Sequence, residues 1–527
     1  MPDDRLRSAS SMMFSAGTPA GATAAHGNAH VDKSDAQLVN HVHPPNWRNP
    51  PPASKYDLVV LGGGTAGLVA AVGAAGLGAR VALVERHLLG GDCLNTGCVP
   101  SKAVMRSARM LGDFKRAHAL GAAVDDVRLD FAAVMRRMRQ RRASIAVHDS
   151  AERLGAAGVD VFFGAASFAD DRTVVVDEQR LRFRKAVIAT GGRPAAPPVP
   201  GLESVPYFTN ETIFGLTELP RRLLVIGAGP IGCELAQAFA RFGSAVTVLD
   251  HGSQVLPRED QDAAAAVRRS LEADGVSFEL NARLDQVDRV PGELLIHFTR
   301  TGAGRSEGAT ATGDLLLVGA GRAPNVEGLQ LEAAHINTNK HGVVVNDRLQ
   351  TSNPRVFASG DVCSSYKFTH AADAMSRLVL QNALFFGRHK ASALVIPWVT
   401  YTDPELAHVG VFELDVLRSE GRMGTVTVPL SDIDRAVVDD EVDGFVRVHH
   451  ERGRIRGCTI VAPHAGEMIG EVVYAMTHGG TLSALSSTVH PYPTYAEALR
   501  KVGDNYRRKM LTASVRRWLT RYFAWTR

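Results

Sequence analysis

Apolar residues in this chain gather in short runs separated by glycine-rich turns. Asp57-Leu58-Val59-Val60-Leu61 reads as a short strand, followed by a turn, an alanine-rich helix and a second run, Arg80-Val81-Ala82-Leu83-Val84, that ends at Glu85. The pattern then repeats. Leu223-Leu224-Val225-Ile226 leads through a turn and a helix to Ala245-Val246-Thr247-Val248-Leu249, which ends at Asp250. Strand–helix alternation of this kind predicts an α/β fold with parallel sheets. Two shorter runs, Val187-Ile188-Ala189 and Val356-Phe357-Ala358, lie between and after the repeats. Towards the end, strands around Phe445–Val448 and an apolar helix from Glu467 to His478 predict a separate α+β domain. No apolar run reaches the roughly 18 residues that a membrane span needs.

The turns carry the first chemistry. Gly62, Gly64 and Gly67 form a Gly-x-Gly-x-x-Gly fingerprint between strand and helix, and Gly227, Gly229 and Gly232 form another. Glu85 and Asp250 each stand eighteen residues beyond the last glycine of their unit. Glycines at this spacing let the backbone approach a pyrophosphate at a helix N-terminus, and the acid accepts hydrogen bonds from a ribose. Two Rossmann-type units imply two dinucleotides, as an enzyme using FAD and a nicotinamide requires. Asp250 favours NADH, because it would bond a ribose 2′-hydroxyl and repel a 2′-phosphate; His251 and Arg258 soften that preference towards NADPH.

Composition narrows the class further. A net charge of +4 argues against nucleic acid as a partner, and no stable membrane insertion is expected. Five cysteines (Cys93, Cys98, Cys233, Cys363, Cys458) are too few for a secreted disulfide framework at this length. Residues 1–54 are rich in Ala, Gly, Ser, His and Pro and are expected to be a flexible extension, with His26, His30, His41 and His43 scattered along it. That extension lacks an apolar signal core, and Asp3 and Asp4 argue against a transit peptide, so a cytoplasmic location is expected. Residues 512–527 form a basic aromatic tail, readable as a membrane-surface helix or as a terminal helix packed on a dimer.

The strongest motif is Gly90-Gly91-Asp92-Cys93-Leu94-Asn95-Thr96-Gly97-Cys98-Val99-Pro100-Ser101-Lys102. Cysteines this close can form a small disulfide loop or hold a soft metal. If Pro100-Ser101-Lys102 lie in a helix beside the pair, its N-terminus and Lys102 both favour thiolate. The whole stretch resembles the redox-active site of the pyridine nucleotide–disulfide oxidoreductases, the class I flavoprotein disulfide reductases.

The resemblance runs from Tyr56 to Met510 and implies the rest of the organisation. It implies an FAD-binding domain in two parts (55–199 and 317–395), an inserted NAD(P)-binding domain (200–316) and a dimerisation domain (396–511) that makes a homodimer. It also implies that Cys98 faces the flavin, that Cys93 exchanges with substrate, and that Glu234 pairs with Lys102. Thr190-Gly191, before Arg193-Pro194, resembles the family's exit from the FAD domain. Gly319 to Asn325 resembles the return, and Gly360-Asp361 the second FAD motif.

One segment departs from the disulfide-reducing members. Where those have His-Pro-Thr-x-x-Glu, this chain reads His490-Pro491-Tyr492-Pro493-Thr494-Tyr495-Ala496-Glu497. Aligned on Pro493-Thr494 and Glu497, the base position is Tyr492, a poor thiol base with its ordinary pKa near 10. His490, two residues earlier, would face the same side if the segment were extended. Mercuric reductase-like members also have a Pro-Tyr here and a second tyrosine where Tyr207 stands, but this chain has no cysteine after Glu497. The resemblance thus implies an enzyme passing electrons from NAD(P)H through FAD and Cys93–Cys98 to a small acceptor. A metal ion bound transiently by the two cysteines is the first expectation. A dihydrolipoamide dehydrogenase using His490 as base, or a flavin redox sensor of low turnover, is the alternative.

Overall fold

The computed structural model describes residues 32–123, 126–302 and 305–527. They form two compact units: one holds residues up to 252 together with 275–394, the other 253–274 with 395–527. His26, His30, Asp3 and Asp4 lie outside the described residues.

The first unit contains both repeats. Strands Val159–Phe163, Val81–Glu85, Tyr56–Leu61, the end of Gln179–Ile188 and Val356–Ala358 lie parallel in that order. Leu58 to Leu61 are wholly buried, as expected of a parallel sheet covered on both faces. The start of Gln179–Ile188 continues into an antiparallel meander with Thr173–Val176 and Ala166–Asp170. The second repeat builds a four-stranded parallel sheet in the order Val276–Glu279, Ala245–Leu249, Arg222–Ile226, Leu315–Val318. A three-stranded antiparallel sheet, from Ala282 to Gly313, accompanies it. Val199 already packs in this second core, and its last strand runs to Val318, so the inserted domain passes the expected 200–316 limits at both ends. The chain crosses between the two domains on a short ribbon pairing Gly192–Pro194 with Arg322–Pro324.

The second unit is α+β. Its antiparallel sheet runs Pro397–Thr400, Glu405–Gly410, Arg454–Ala462, Phe445–Glu451, Gly424–Pro429. The helix expected over 467–478 spans Ala465–Thr477 and packs in this core through Ala465, Met468, Ile469 and Val472. Helix Gln261–Ala273, expected in the nucleotide domain, groups with this unit.

Residues 32–54 correct the expectation of a flexible extension. Helix Lys33–Val42 buries Leu38, Val39 and Val42, and Asp32 caps it through Ser34 N. Beyond it, His43 stacks on Phe163 with ring centroids 4.0 Å apart. Asn49 pairs with the Phe163 backbone as donor and acceptor (2.8 Å each), and Trp47 Nε1 donates to Val161 O. The segment therefore caps the edge strand Val159–Phe163 and satisfies backbone groups that would otherwise be exposed there.

Candidate active site

Both cysteines stand on helices. Cys93 lies in the short helix Gly91–Asn95, and Cys98 is the first residue of helix Cys98–Arg116, capped by Gly97. The left-handed backbone of Gly90 (φ 88) and Gly91 (φ 58) turns the chain into this pair of helices. A Cβ on Gly91 would sit 2.6 Å from Gly64 Cα, so the cysteine loop is pressed against the first glycine turn.

Cys93 and Cys98 are free thiols that hydrogen-bond each other. That bond, aided by Thr369 and Lys102, outweighs burial and holds the Cys98 thiol down at about 6. Thr369 Oγ1, at the start of helix Thr369–Leu384, lies 3.4 Å from Cys98 Sγ. The same shared bond, with burial, pushes Cys93 up. At neutral pH Cys98 is therefore the thiolate and Cys93 the proton-bearing partner. Lys102, one turn along the helix, makes an ion pair with Glu234 (Nζ–Oε2 2.7 Å), joining the cysteine helix to helix Pro230–Phe242.

The two glycine turns share one design. At Gly62 (φ 106) a Cβ would meet Ala189 O at 2.4 Å, and at Gly67 it would meet Gly62 O at 1.8 Å. In the second turn Gly227 (φ 108) faces Gly319 O at 2.8 Å and Gly232 faces Gly227 O at 2.0 Å. Gly64 and Gly229 cap their helices without a side chain, leaving first-turn N–H groups for an anion. Glu85 accepts from Gly63 N (2.6 Å) and His87 N (2.7 Å); Asp250 accepts from Ala228 N and Gly252 N (2.7 Å each). Each acid thus braces the turn it follows and retains lone pairs for a ribose. Burial pushes the Glu85 carboxyl up. These cradles, which a side chain would fill, fit two dinucleotides.

Thr190 and Gly191 (φ 69) clasp the return segment. Thr190 Oγ1 donates to Asn325 O (2.6 Å), Asn325 Nδ2 to Thr190 O (2.9 Å), and Asn325 N to Gly191 O (3.0 Å). Gly360 (φ 80) opens the turn bearing Asp361, whose carboxylate lies 3.3 Å from Arg322 Nε. Arg322 also pairs with Asp92 at 2.8 Å, and Asp92 accepts from Asn210 and Thr96. The residue next to Cys93 is thereby linked to the Asp361 turn.

Sequence reasoning missed this link, and missed Thr369. It also missed the support beneath Cys93, where Asn95 donates to Leu89 O and Gly91 O. Arg142 donates to Asn95 O and pairs with Asp35 of the N-terminal helix, both bonds at 2.7 Å. No local pattern announces these contacts: Arg139 and Arg142, both buried, stand in an arginine-rich helix, Phe131–Ala146, whose sequence reads as a solvated one.

His490, Tyr492 and Glu497 belong to the second unit, and each takes its own partner. His490 Nε2 lies 3.1 Å from Glu471 and its Nδ1 3.2 Å from Thr488 O. Tyr492 OH donates to Asp434 (2.9 Å), which raises its pKa, and Glu497 pairs with Arg500 (2.6 Å). The His490 side chain is 4% exposed whereas Tyr492 is 69% exposed. The two do not share a face, because residues 488–494 are irregular and the two-residue alternation of a strand does not hold there. Tyr207 is partly buried in the first unit, which raises its pKa.

Comparison with known proteins agrees with this geometry. The pyridine nucleotide-disulphide oxidoreductase family model matches residues 56–376, and that family's dimerisation domain matches 396–502. A mercuric reductase of Staphylococcus aureus is 33% identical over 448 residues, covering 84% of this chain and 81% of its own. A dihydrolipoyl dehydrogenase of Bacillus subtilis (strain 168) is 30% identical over 467 residues, covering 85% and 97%. Among solved structures, the HOCl-induced flavoprotein disulfide reductase RclA from Escherichia coli superposes with a TM-score of 0.75 at 28% identity, covering 85% of this chain and 99% of that one. Its Cu(II) complex gives 0.75 at 29%, covering 84% and 98%. With two dinucleotide cradles, a cysteine pair between them and matches over both parts of the chain, this protein belongs to the FAD-dependent pyridine nucleotide–disulfide oxidoreductases.

Proposed function

We propose that this enzyme is a homodimeric, cytoplasmic, NADH-preferring reductase of a thiophilic metal ion, with Hg(II) as the favoured substrate. The observation that carries the reading is the dithiol: an exposed Cys98 held as thiolate at neutral pH, with Cys93 beside it. Two soft sulfur donors at one point suit a soft cation. Binding displaces the Cys93 proton, and the electron pair of one NADH reduces one Hg(II) to Hg(0), leaving NAD+ and a proton. Bound FAD would supply the two-electron relay, held by Gly62, Gly64, Gly67, Glu85, Thr190, Gly191, Gly360 and Asp361, while Gly227, Gly229, Gly232 and Asp250 would hold the pyrophosphate and ribose of the nicotinamide dinucleotide. Lys102 and Glu234 keep the thiolate side of the site charged and fixed.

The segment around Tyr492 supports a metal acceptor over a disulfide. Reduction of a disulfide substrate needs a base with an open nitrogen. His490 has acceptors at both ring nitrogens and is buried within its own unit. Among the relatives' names, mercuric reductase and the Cu(II) complex of a flavoprotein disulfide reductase fit a metal acceptor, while dihydrolipoyl dehydrogenase fits a disulfide. The dimerisation-domain match supports the homodimer, and the reducing cytoplasm is where a dithiol is kept in use.

Cys98→Ser tests the reading. The variant should keep its flavin spectrum and lose Hg(II)-dependent NADH oxidation by on the order of 100-fold or more. Undiminished turnover would remove the dithiol from the mechanism.

A further inference from the structure

The helix Ala513–Thr526 plays no part in the site, and among the described residues nothing covers it. None of its residues is buried, and only Leu519 is partly so. At about 100° per residue, Val515, Trp518, Leu519, Tyr522, Phe523 and Trp525 fall on one face, and Arg516, Arg517 and Arg521 fall outside it. Trp525 is 84% exposed and Trp518 63%, with Trp518 stacked on Tyr522 along the stripe. An apolar face of this size in water marks an interaction surface.

Charge selects the partner. After Asp504 the sequence has no acidic residue, but it has Arg507, Arg508, Lys509, Arg516, Arg517, Arg521 and Arg527. Arg516 and Arg517 donate locally, to Leu511 O and Ser514 Oγ, so their charge stays available at the surface. Two such helices brought together would set like charges against each other. An anionic lipid surface complements both halves of the pattern: headgroups meet the arginines, and tryptophan, tyrosine and phenylalanine suit the headgroup–acyl boundary. With 14 residues, the helix is about 21 Å long, too short to cross a bilayer but able to lie along it.

We propose that Ala513–Thr526 is a peripheral membrane anchor, lying in the plane of an anionic lipid surface with Val515, Trp518, Leu519, Tyr522, Phe523 and Trp525 inserted. The inference stands on this helix alone and is independent of the acceptor that the enzyme reduces.

The test uses the full-length, FAD-loaded enzyme sedimented with vesicles of phosphatidylcholine containing phosphatidylglycerol, against phosphatidylcholine alone, at low and high salt. The expected result is binding to the anionic vesicles, weakened by salt, with a blue shift of tryptophan fluorescence. Replacing three charges (Arg516→Gln, Arg517→Gln and Arg521→Gln together) should weaken binding by on the order of 100-fold, at about one kcal/mol per basic residue. Trp518→Ser with Trp525→Ser should abolish it. Retained NADH oxidation in both variants shows that the enzyme is folded. Absence of vesicle binding by the parent enzyme overturns the proposal. So does binding that ignores lipid charge, or a tryptophan variant that changes the oligomeric mass by light scattering while leaving vesicle binding intact.

Discussion

Lys102 stands one helical turn beyond Cys98, and Thr369 touches the same sulfur from a helix 271 residues further along. The Cys93 hydrogen bond does most to stabilise negative charge on Cys98, and Thr369 and Lys102 add to it against desolvation. Because the Cys98 pKa is lowered to about 6, the thiolate is present above that pH and is lost as pH falls through it. Alkylation of the reduced enzyme by iodoacetamide should therefore rise with a midpoint near 6. In Thr369→Val and in Lys102→Met the midpoint should move towards the ordinary thiol value near 8.5. A parent midpoint already at the ordinary value would contradict this account of the site. The Lys102–Glu234 pair was expected only because both positions resemble the family's pattern; the ion pair is present at 2.7 Å. Thr369, Asp92 and Arg322 were not legible, since their meaning depends on partners far away along the chain.

Among the elements, the glycine turns were the most legible, because they are constraints on the backbone itself. No side chain fits at Gly67 or Gly232, so the spacing survives as a readable pattern. Asp250 has a second role that sequence did not reveal, holding Ala228 N and Gly252 N. Charge-assisted hydrogen bonds of this kind contribute roughly 1.5–3 kcal/mol each. Asp250→Ala should raise the KM for NADH about tenfold and narrow the preference over NADPH, measured as the ratio of kcat/KM values; an unchanged ratio would remove the ribose assignment.

The N-terminal arm was the least legible element. Its Ala-, Gly- and Pro-rich composition resembles disorder, yet Leu38, Val39 and Val42 are buried and Asp35 lies between Arg139 and Arg142. The side chains of Asp35 and Arg142 are 16% and 9% exposed, so removing one charge leaves the other poorly compensated. Asp35→Asn should lower stability by about 3 kcal/mol, seen as a lower midpoint for the first transition in urea. An unchanged midpoint would mean that the arm does not brace the Cys93 helix through Arg142 and Asn95.

For the whole molecule, duplication of the nucleotide-binding unit sets the class and the cysteine pair sets the chemistry. Both could be read before any coordinates, as could the α+β character of the second unit. Strands overrun the expected limits by a residue or two, as at Val318, and helix Gln261–Ala273 groups by its contacts with the second unit. Helix periodicity says that a face is apolar, not which sheet will cover it. No helix among the described residues is long and apolar enough to cross a membrane.

The central claim concerns the acceptor, and NADH oxidation by the purified FAD-loaded enzyme tests it most directly. Hg(II) in excess small thiol is compared with lipoamide at the same enzyme concentration. The account predicts turnover with Hg(II) and little with lipoamide, because His490 has both ring nitrogens engaged. Turnover with lipoamide and none with Hg(II) would contradict it, and would mean that His490 leaves Glu471 or Thr488 to serve as the thiol base.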